Sequence, residues 1–342
     1  MTRVRAGSAW LLSLGLGLGT VLSVEAADFD PAAHQGAAAL VEELVAREIP
    51  VAWSSEQLRD AVFQQDVLDA MAGAAERRLR WDEYRAIFMQ PERVAEGVDF
   101  IAAHREAFER AEAQFGVPPE IIAAIIGVET RFGQFKGRHR VLDSLATLAF
   151  HHPRRGDFFR GELAAFLEIT FEQGVEPGEM QGSYAGAMGY PQFIPTSYRA
   201  YAVDFDGDGL RDLWFNPVDA IGSVGNYFAE HRWRPGGTIY SEARGPDSLP
   251  GGIDFNQTRP PYVGLASLAA EGIEPLDGAL DDDARVIPLA LDTLDDAGDT
   301  HYRYRLGQHN FYVITRYNHS HLYAMAVTEL AEAIAAAREE EA

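Results

Sequence analysis

The sequence has no cysteine among its 342 residues. That excludes disulfides, thiolate nucleophiles, cysteine-ligated zinc and a lipid-modified N-terminal cysteine. Positive charge is scarce: 29 Lys and Arg face 52 Asp and Glu, a formal net charge of −23. Nucleic acid is not an expected partner, because binding it draws mainly on Lys and Arg. A P-loop, a dinucleotide-binding glycine fingerprint and a G-x-S-x-G elbow are all missing, so no organic cofactor is expected. After the N-terminus, no run is long and apolar enough to span a bilayer.

Residues 1–26 differ from the rest. Arg3 and Arg5 precede an apolar run, Ala9–Val24, and Val24-Glu25-Ala26 has the small-x-small form of a secretory cleavage site. The reading is a cleavable signal peptide and a soluble, periplasmic mature protein; the alternative is an uncleaved single-span anchor. The remaining length suffices for about two or three domains.

The chain is organised around Val117–Gly137, VPPEIIAAIIGVETRFGQFKG. Pro118-Pro119 starts a helix, and Glu120 falls in its first turn. Ile122, Ile125 and Ile126 lie seven, four and three residues before Glu129, which places that carboxylate on the apolar face. Gly133 is expected to stop the helix. Apolar surroundings and the negative helix end both disfavour the anion, so the Glu129 pKa should be raised, as suits a general acid. The plain alternative is a buried Glu paired with Arg131 or Arg154.

Residues 27–115 read as helical, with apolar residues at three- and four-residue intervals and Ser54-Ser55 as the cap of the second helix. Residues 97–116, GVDFIAAHREAFERAEAQFG, read as a single helix. Tyr84 could line a groove or simply pack. Two further helices, broken at Pro153, carry Asp143 and Glu162, the candidates for a second catalytic carboxylate or for capping and solvated roles.

Next comes GSYAGAMGYPQFIP, where glycines admit close approach and Ser183, Tyr190 and Gln192 offer polar groups, a mixture that suits sugars or a tightly packed loop. Asp204-x-Asp206-x-Asp208-Gly209 then forms the opening half of an EF-hand calcium loop. Leu210 can give only its carbonyl, and the closing Glu is replaced by Phe215, leaving Asp219 as the next acid. The alternative is a cluster of Asx turns. Residues 236–314 read as a small antiparallel β domain, with TIYSEA, ARVIPLAL, HYRYRLG and NFYVITRY as strands. A helix follows from about Ser320. His319 and His321 lack a third partner for a metal.

IIGVETRFG, GSYAGAMGYPQFIP, DFDGDG and ITRYNHSHLYAMAV, in this order, resemble the B family of lytic murein transglycosylases. The resemblance runs from about Val41 to Ile334. It implies an α+β, predominantly helical fold with a lysozyme-like core: an α domain over 27–115, the core over 116–235 with an EF-hand-like loop at 204–219, a β domain over 236–314, and a C-terminal segment, 315–342, returning to the core. It further implies that Glu129 is the sole catalytic acid/base. Ser183, Gln192, Tyr227, Tyr317, Asn318 and Tyr323 would line the glycan groove, with Tyr84 beside them. Asp204, Asp206, Asp208, Leu210 and Asp219 would hold a structural calcium. Some members carry a lipidated N-terminal cysteine, which this chain cannot.

The implied reaction cleaves the β-1,4 bond between N-acetylmuramic acid and N-acetylglucosamine in peptidoglycan strands and closes a 1,6-anhydro ring. One carboxylate suffices, whereas ordinary glycosidases use two. The rival readings are a muramidase, with Asp143 or Glu162 activating water, and a non-catalytic cell-wall binding protein. The leader gives the first expected outcome. N-terminal sequencing of protein from the periplasmic fraction should begin at Ala27; full-length protein retained in membranes after a salt wash would contradict it.

Overall fold

The computed structural model describes residues 27–73, 79–276, 278, 280–295 and 297–341; the leader lies outside them. Six helices occupy the first stretch: Gln35–Val45, Val51–Asp60, Gln65–Gly73, Trp81–Phe88, Pro91–Ala103 and Arg105–Phe115. Two boundaries differ from the sequence reading. The second helix begins after Pro50, and Ser54 and Ser55 are buried inside it, with the Ser54 hydroxyl donating to the Pro50 carbonyl at 2.8 Å. The helix expected across residues 97–116 breaks at His104, so that Phe100 and Phe108 can both turn inward, their rings 5.7 Å apart.

The Pro119–Thr130 helix is central. Ile121, Ile122, Ala123, Ala124, Ile125, Ile126 and Gly127 are all buried, so this helix is apolar on every side, as a helix surrounded by others must be. The Pro91–Ala103 and His321–Glu341 helices pack against it. Gly97 lies under Ile334, so a side chain there would push the Pro91–Ala103 and His321–Glu341 helices apart, and one at Gly127 would strike the Phe132 ring in the turn that ends its own helix. The Val141–His151 and Gly156–Gln173 helices form an adjoining pair, and Pro217–Glu230 closes the core beyond them.

A five-stranded antiparallel sheet lies between Tyr240 and Gly307. Its order is Val263–Gly264, Arg285–Leu294, Thr300–Gly307, Tyr240–Arg244, Glu274–Pro275. The Arg285–Leu294 strand explains how the sheet is attached. Ile287, Leu289 and Leu291 face the main core, while Val286 and Ala290 face a smaller one with Phe255, Leu268, Ile273, Tyr304 and Leu306. Strand side chains alternate between faces, so a continuous apolar run serves two cores.

NFYVITRY is not a strand. Residues His309–Tyr317 form a helix. Asn310, Phe311, Ile314 and Thr315 are buried at helical spacing, and the Asn310 amide donates to the carbonyls of Arg234 and Gly237, each at 2.9 Å. Aromatic and β-branched residues lean toward strands, but packing decides. The helix crosses the boundary expected at residue 314 and delivers Tyr317 to the centre of the molecule.

Candidate active site

Glu129 is the last residue but one of its helix. Beyond it, Arg131, Phe132 and Gly133 all have positive φ, at 48°, 57° and 86°. The helix thus ends at Thr130, earlier than Gly133, in a left-handed turn that is costly for the two non-glycine residues. Specific contacts hold it. The Arg131 guanidinium grips Glu96 at 2.6 and 2.7 Å, and Phe132 is buried. Thr130 Oγ1 accepts the Gly133 N–H at 3.0 Å and lies 3.0 Å from the Tyr190 carbonyl. A side chain at Gly133 would strike the Tyr190 ring, and one at Gly137 the Gly182 carbonyl. The turn therefore clasps the glycine-rich loop against the end of the acid helix.

Arg131 is occupied by Glu96, and Arg154 is exposed; neither pairs with Glu129. Among the described residues no charged group perturbs Glu129. Burial pushes its pKa up to about 7, opposed by one hydrogen bond, donated by the Tyr323 hydroxyl at 2.7 Å. The negative pole of the helix acts in the same direction as burial.

An aromatic wall surrounds the acid. Tyr323 and Tyr317 stack at 6.3 Å, and Tyr317 meets Tyr227 edge-on at 4.8 Å. Burial and the nearby Glu129 hold the hydroxyls of Tyr317 and Tyr323 well above the ordinary phenol pKa. They also raise Tyr84 to about 12, so Tyr84 belongs to the same surroundings. Tyr317 donates to the Pro191 carbonyl at 2.6 Å, fixing the wall to the loop beside Gln192.

Gln192 itself has a φ of 50° and donates to the carbonyls of Gly189 at 2.9 Å and Lys136 at 3.2 Å. Ser183 Oγ accepts the N–H groups of Ala185 and Ala187, at 3.2 and 3.0 Å, holding the other end of the loop. Asn318 is exposed beside Tyr317. Tyr227 is buried, and its hydroxyl is committed to the Arg316 carbonyl at 2.6 Å, so it supports Tyr317 from behind. Thr130 and the Pro191 carbonyl carry structural duties here that no motif pointed to; a Thr directly after the candidate acid was the one available signal.

The two rival carboxylates are engaged elsewhere. Asp143 accepts the Val62 N–H at 3.0 Å and pairs with Arg140 at 3.2 Å. Glu162 accepts both the Thr196 N–H and its hydroxyl, at 2.9 and 2.8 Å. Each holds one segment against another.

In the 204–219 loop, carboxylate oxygens of Asp204, Asp206 and Asp219 lie within 4.8 Å of one another. Asp219 is buried, and burial pushes its pKa up to about 6; its oxygens accept the N–H groups of Phe205 and Asp212, at 2.7 and 2.8 Å. Asp208 is not part of this group; its carboxylate accepts the Leu210 N–H at 2.8 Å. Asx turns and a carboxylate group that could hold a cation coexist here. Three convergent hard oxygen donors, one of them buried, fit a divalent cation of the calcium type.

The family described as transglycosylase SLT domain matches residues 32–332. Membrane-bound lytic murein transglycosylase B of Escherichia coli K12 is 47% identical over 259 residues, 75% of this chain and 68% of that protein. The soluble lytic transglycosylase SltB1 of Pseudomonas aeruginosa superposes with a TM-score of 0.81 at 46% identity, over 89% of this chain and 99% of that one. The Escherichia coli lytic transglycosylase Slt35 in complex with calcium gives a TM-score of 0.80 at 42% identity, over 90% and 95%.

The raised pKa has a measurable cost. An unfolded Glu titrates near ~4.3, so between that pH and about 7 the folded protein keeps a proton that the unfolded chain releases. The associated stability is present at low pH and lost as pH rises through 7. Gln at this position accepts the Tyr323 bond without carrying charge. Glu129→Gln should therefore raise the melting temperature at pH 8 and leave it nearly unchanged at pH 4. An equal change at both pH values would contradict the assigned surroundings.

Proposed function

Because the chain belongs to the transglycosylase SLT family, we propose that its lytic activity on peptidoglycan is carried by Glu129 alone, first as acid and then as base. The protein is a lytic transglycosylase. The observation that supports the single-acid reading is a carboxyl group poised near neutrality, with no cation beside it among the described residues and with Asp143 and Glu162 tied into structural contacts.

In this reading the protonated Glu129 donates to the oxygen of the β-1,4 bond as it breaks. The substrate's own N-acetyl group stabilises the positive anomeric carbon, inside a pocket walled by Tyr84, Tyr317, Asn318 and Tyr323. Glu129, now a carboxylate held by the Tyr323 hydroxyl, takes the proton of the muramyl C6 hydroxyl, which attacks and closes the 1,6-anhydro ring. The nucleophile is already part of the substrate, so its effective concentration is high and no second carboxylate is needed to activate water. Ser183 and Gln192 hold the glycine-rich loop that forms the opposite wall.

Mass spectrometry of a peptidoglycan digest tests the reaction: the product ends should be anhydro, one water lighter than a hydrolase's. Glu129→Gln should lower turnover by at least about a hundredfold with glycan binding kept. Wild-type turnover should fall as pH rises through about 7. Hydrated ends, or near-normal turnover by the variant, would refute the assignment.

The 204–219 loop is proposed to hold calcium through Asp204, Asp206 and Asp219, with Asp208 and the Leu210 carbonyl as the further ligands the resemblance implies. Bound calcium supplies charge neutralisation for carboxylates that otherwise repel one another. Binding only the folded state raises its stability by mass action. After chelator treatment, calcium should raise the melting temperature and magnesium should do so less, since magnesium rarely uses an all-protein cage. Asp219→Asn should abolish the calcium effect. An unchanged melting temperature on adding calcium to the stripped wild-type protein would reduce the loop to ordinary turns.

A further inference from the structure

Lys136 is the only lysine in the chain. It follows the left-handed turn that ends the acid helix, and its main-chain carbonyl accepts the Gln192 side chain. Its ammonium is half-buried and held in place: it donates to the Trp214 carbonyl at 2.7 Å and lies 4.4 Å from the centre of the Tyr190 ring and 5.7 Å from that of Phe215. One of its three N–H groups is thereby used. No ion pair engages it among the described residues. The acid whose field reaches it is Asp212, whose Oδ1 accepts the N–H groups of Trp214 and Phe215.

This ammonium lines a cavity of about 280 Å³ together with Gln134, Glu179, Gln181, Trp214 and Phe215. Phe215 is 70% exposed. The cavity thus offers a held cation, a carboxylate at Glu179, two amides and a bare aromatic face. A neutral sugar would leave the ammonium uncompensated. A short zwitterionic peptide satisfies both charges at once.

We propose that this cavity binds the stem peptide that peptidoglycan carries on its muramic acid residues, with Lys136 taking a peptide carboxylate, Glu179 a peptide ammonium, and Phe215 the aliphatic portion. The proposal rests on the peptidoglycan reading above and deepens it: specificity for peptide-bearing strands resides beside the glycan groove. It also gives the 204–219 loop a second duty, since Trp214 and Phe215 belong to that loop and form one side of the cavity.

The single lysine makes the test clean. Reductive methylation of the intact enzyme with ¹³C-formaldehyde labels Lys136 and the N-terminal amine and preserves the lysine charge. Free stem tetrapeptide should shift the Lys136 methyl signal, and peptide-free disaccharide should not. No shift with peptide, or equal shifts with both, would overturn the proposal. In turnover, Lys136→Met should lower kcat/KM about tenfold on intact strands, the loss expected for one hydrogen bond to a charged group. It should leave amidase-stripped strands unaffected, and Lys136→Arg should restore the preference. Equal losses on both substrates would show that Lys136 merely holds the turn. If the wild-type enzyme gave hydrated ends, the Glu129 reading would fail while the lysine titration kept its meaning.

Discussion

A carboxyl group enclosed by apolar side chains, at the negative end of a helix and without a cation, is more comfortable protonated. Much of the structure keeps Glu129 in that condition. The helix that bears it is surrounded by others and has no solvent face through most of its length. The turn after it is strained and pinned by the Arg131–Glu96 pair. That pairing also removes the guanidinium two residues along the chain from competition: were Arg131 free to reach Glu129, opposite charge would lower the carboxyl pKa and the proton would be gone at neutral pH. The one side-chain hydrogen bond it keeps among the described residues, from the Tyr323 hydroxyl, satisfies the carboxylate without introducing charge.

Two buried acids show the contrast. Asp143 and Glu162 are buried while Glu129 is partly exposed, yet each of the two accepts N–H or guanidinium donors that join distant segments. Asp143 secures the Asp60–Gln65 connection to the Val141–His151 helix, and Glu162 fixes the start of the Pro195–Tyr201 helix. They are joints. What distinguishes the candidate acid from the joints is the poverty of its hydrogen bonding, a property that sequence spacing does not encode.

The acid helix was legible because every cue agreed: paired prolines at its start, isoleucines at helical spacing, and an acid on the apolar face. The sheet was legible where strands alternated or ran apolar, as in Arg285–Leu294. Reading failed where packing overrode composition. His309–Tyr317 looks like a strand and is a helix, because Asn310 and Phe311 are drawn in beside Ile314 and Thr315. Ser54 and Ser55 look like caps and are interior, because Pro50 already ends the preceding extended segment. The three-carboxylate group assembled from Asp204, Asp206 and Asp219 without Asp208, since side-chain direction in a turn depends on which N–H each acid accepts. Tyr227 and Tyr317 are both near the acid, but only their hydrogen bonds reveal that one backs the other.

The partner of Glu129 comes from 194 residues further along the chain, on the last helix. Contacts of such sequence separation form late, because the intervening loop must close first. Tyr317 and Tyr323 reach the acid only when the C-terminal segment has docked. The surroundings that hold the Glu129 proton are therefore a property of the docked fold and not of the acid helix alone.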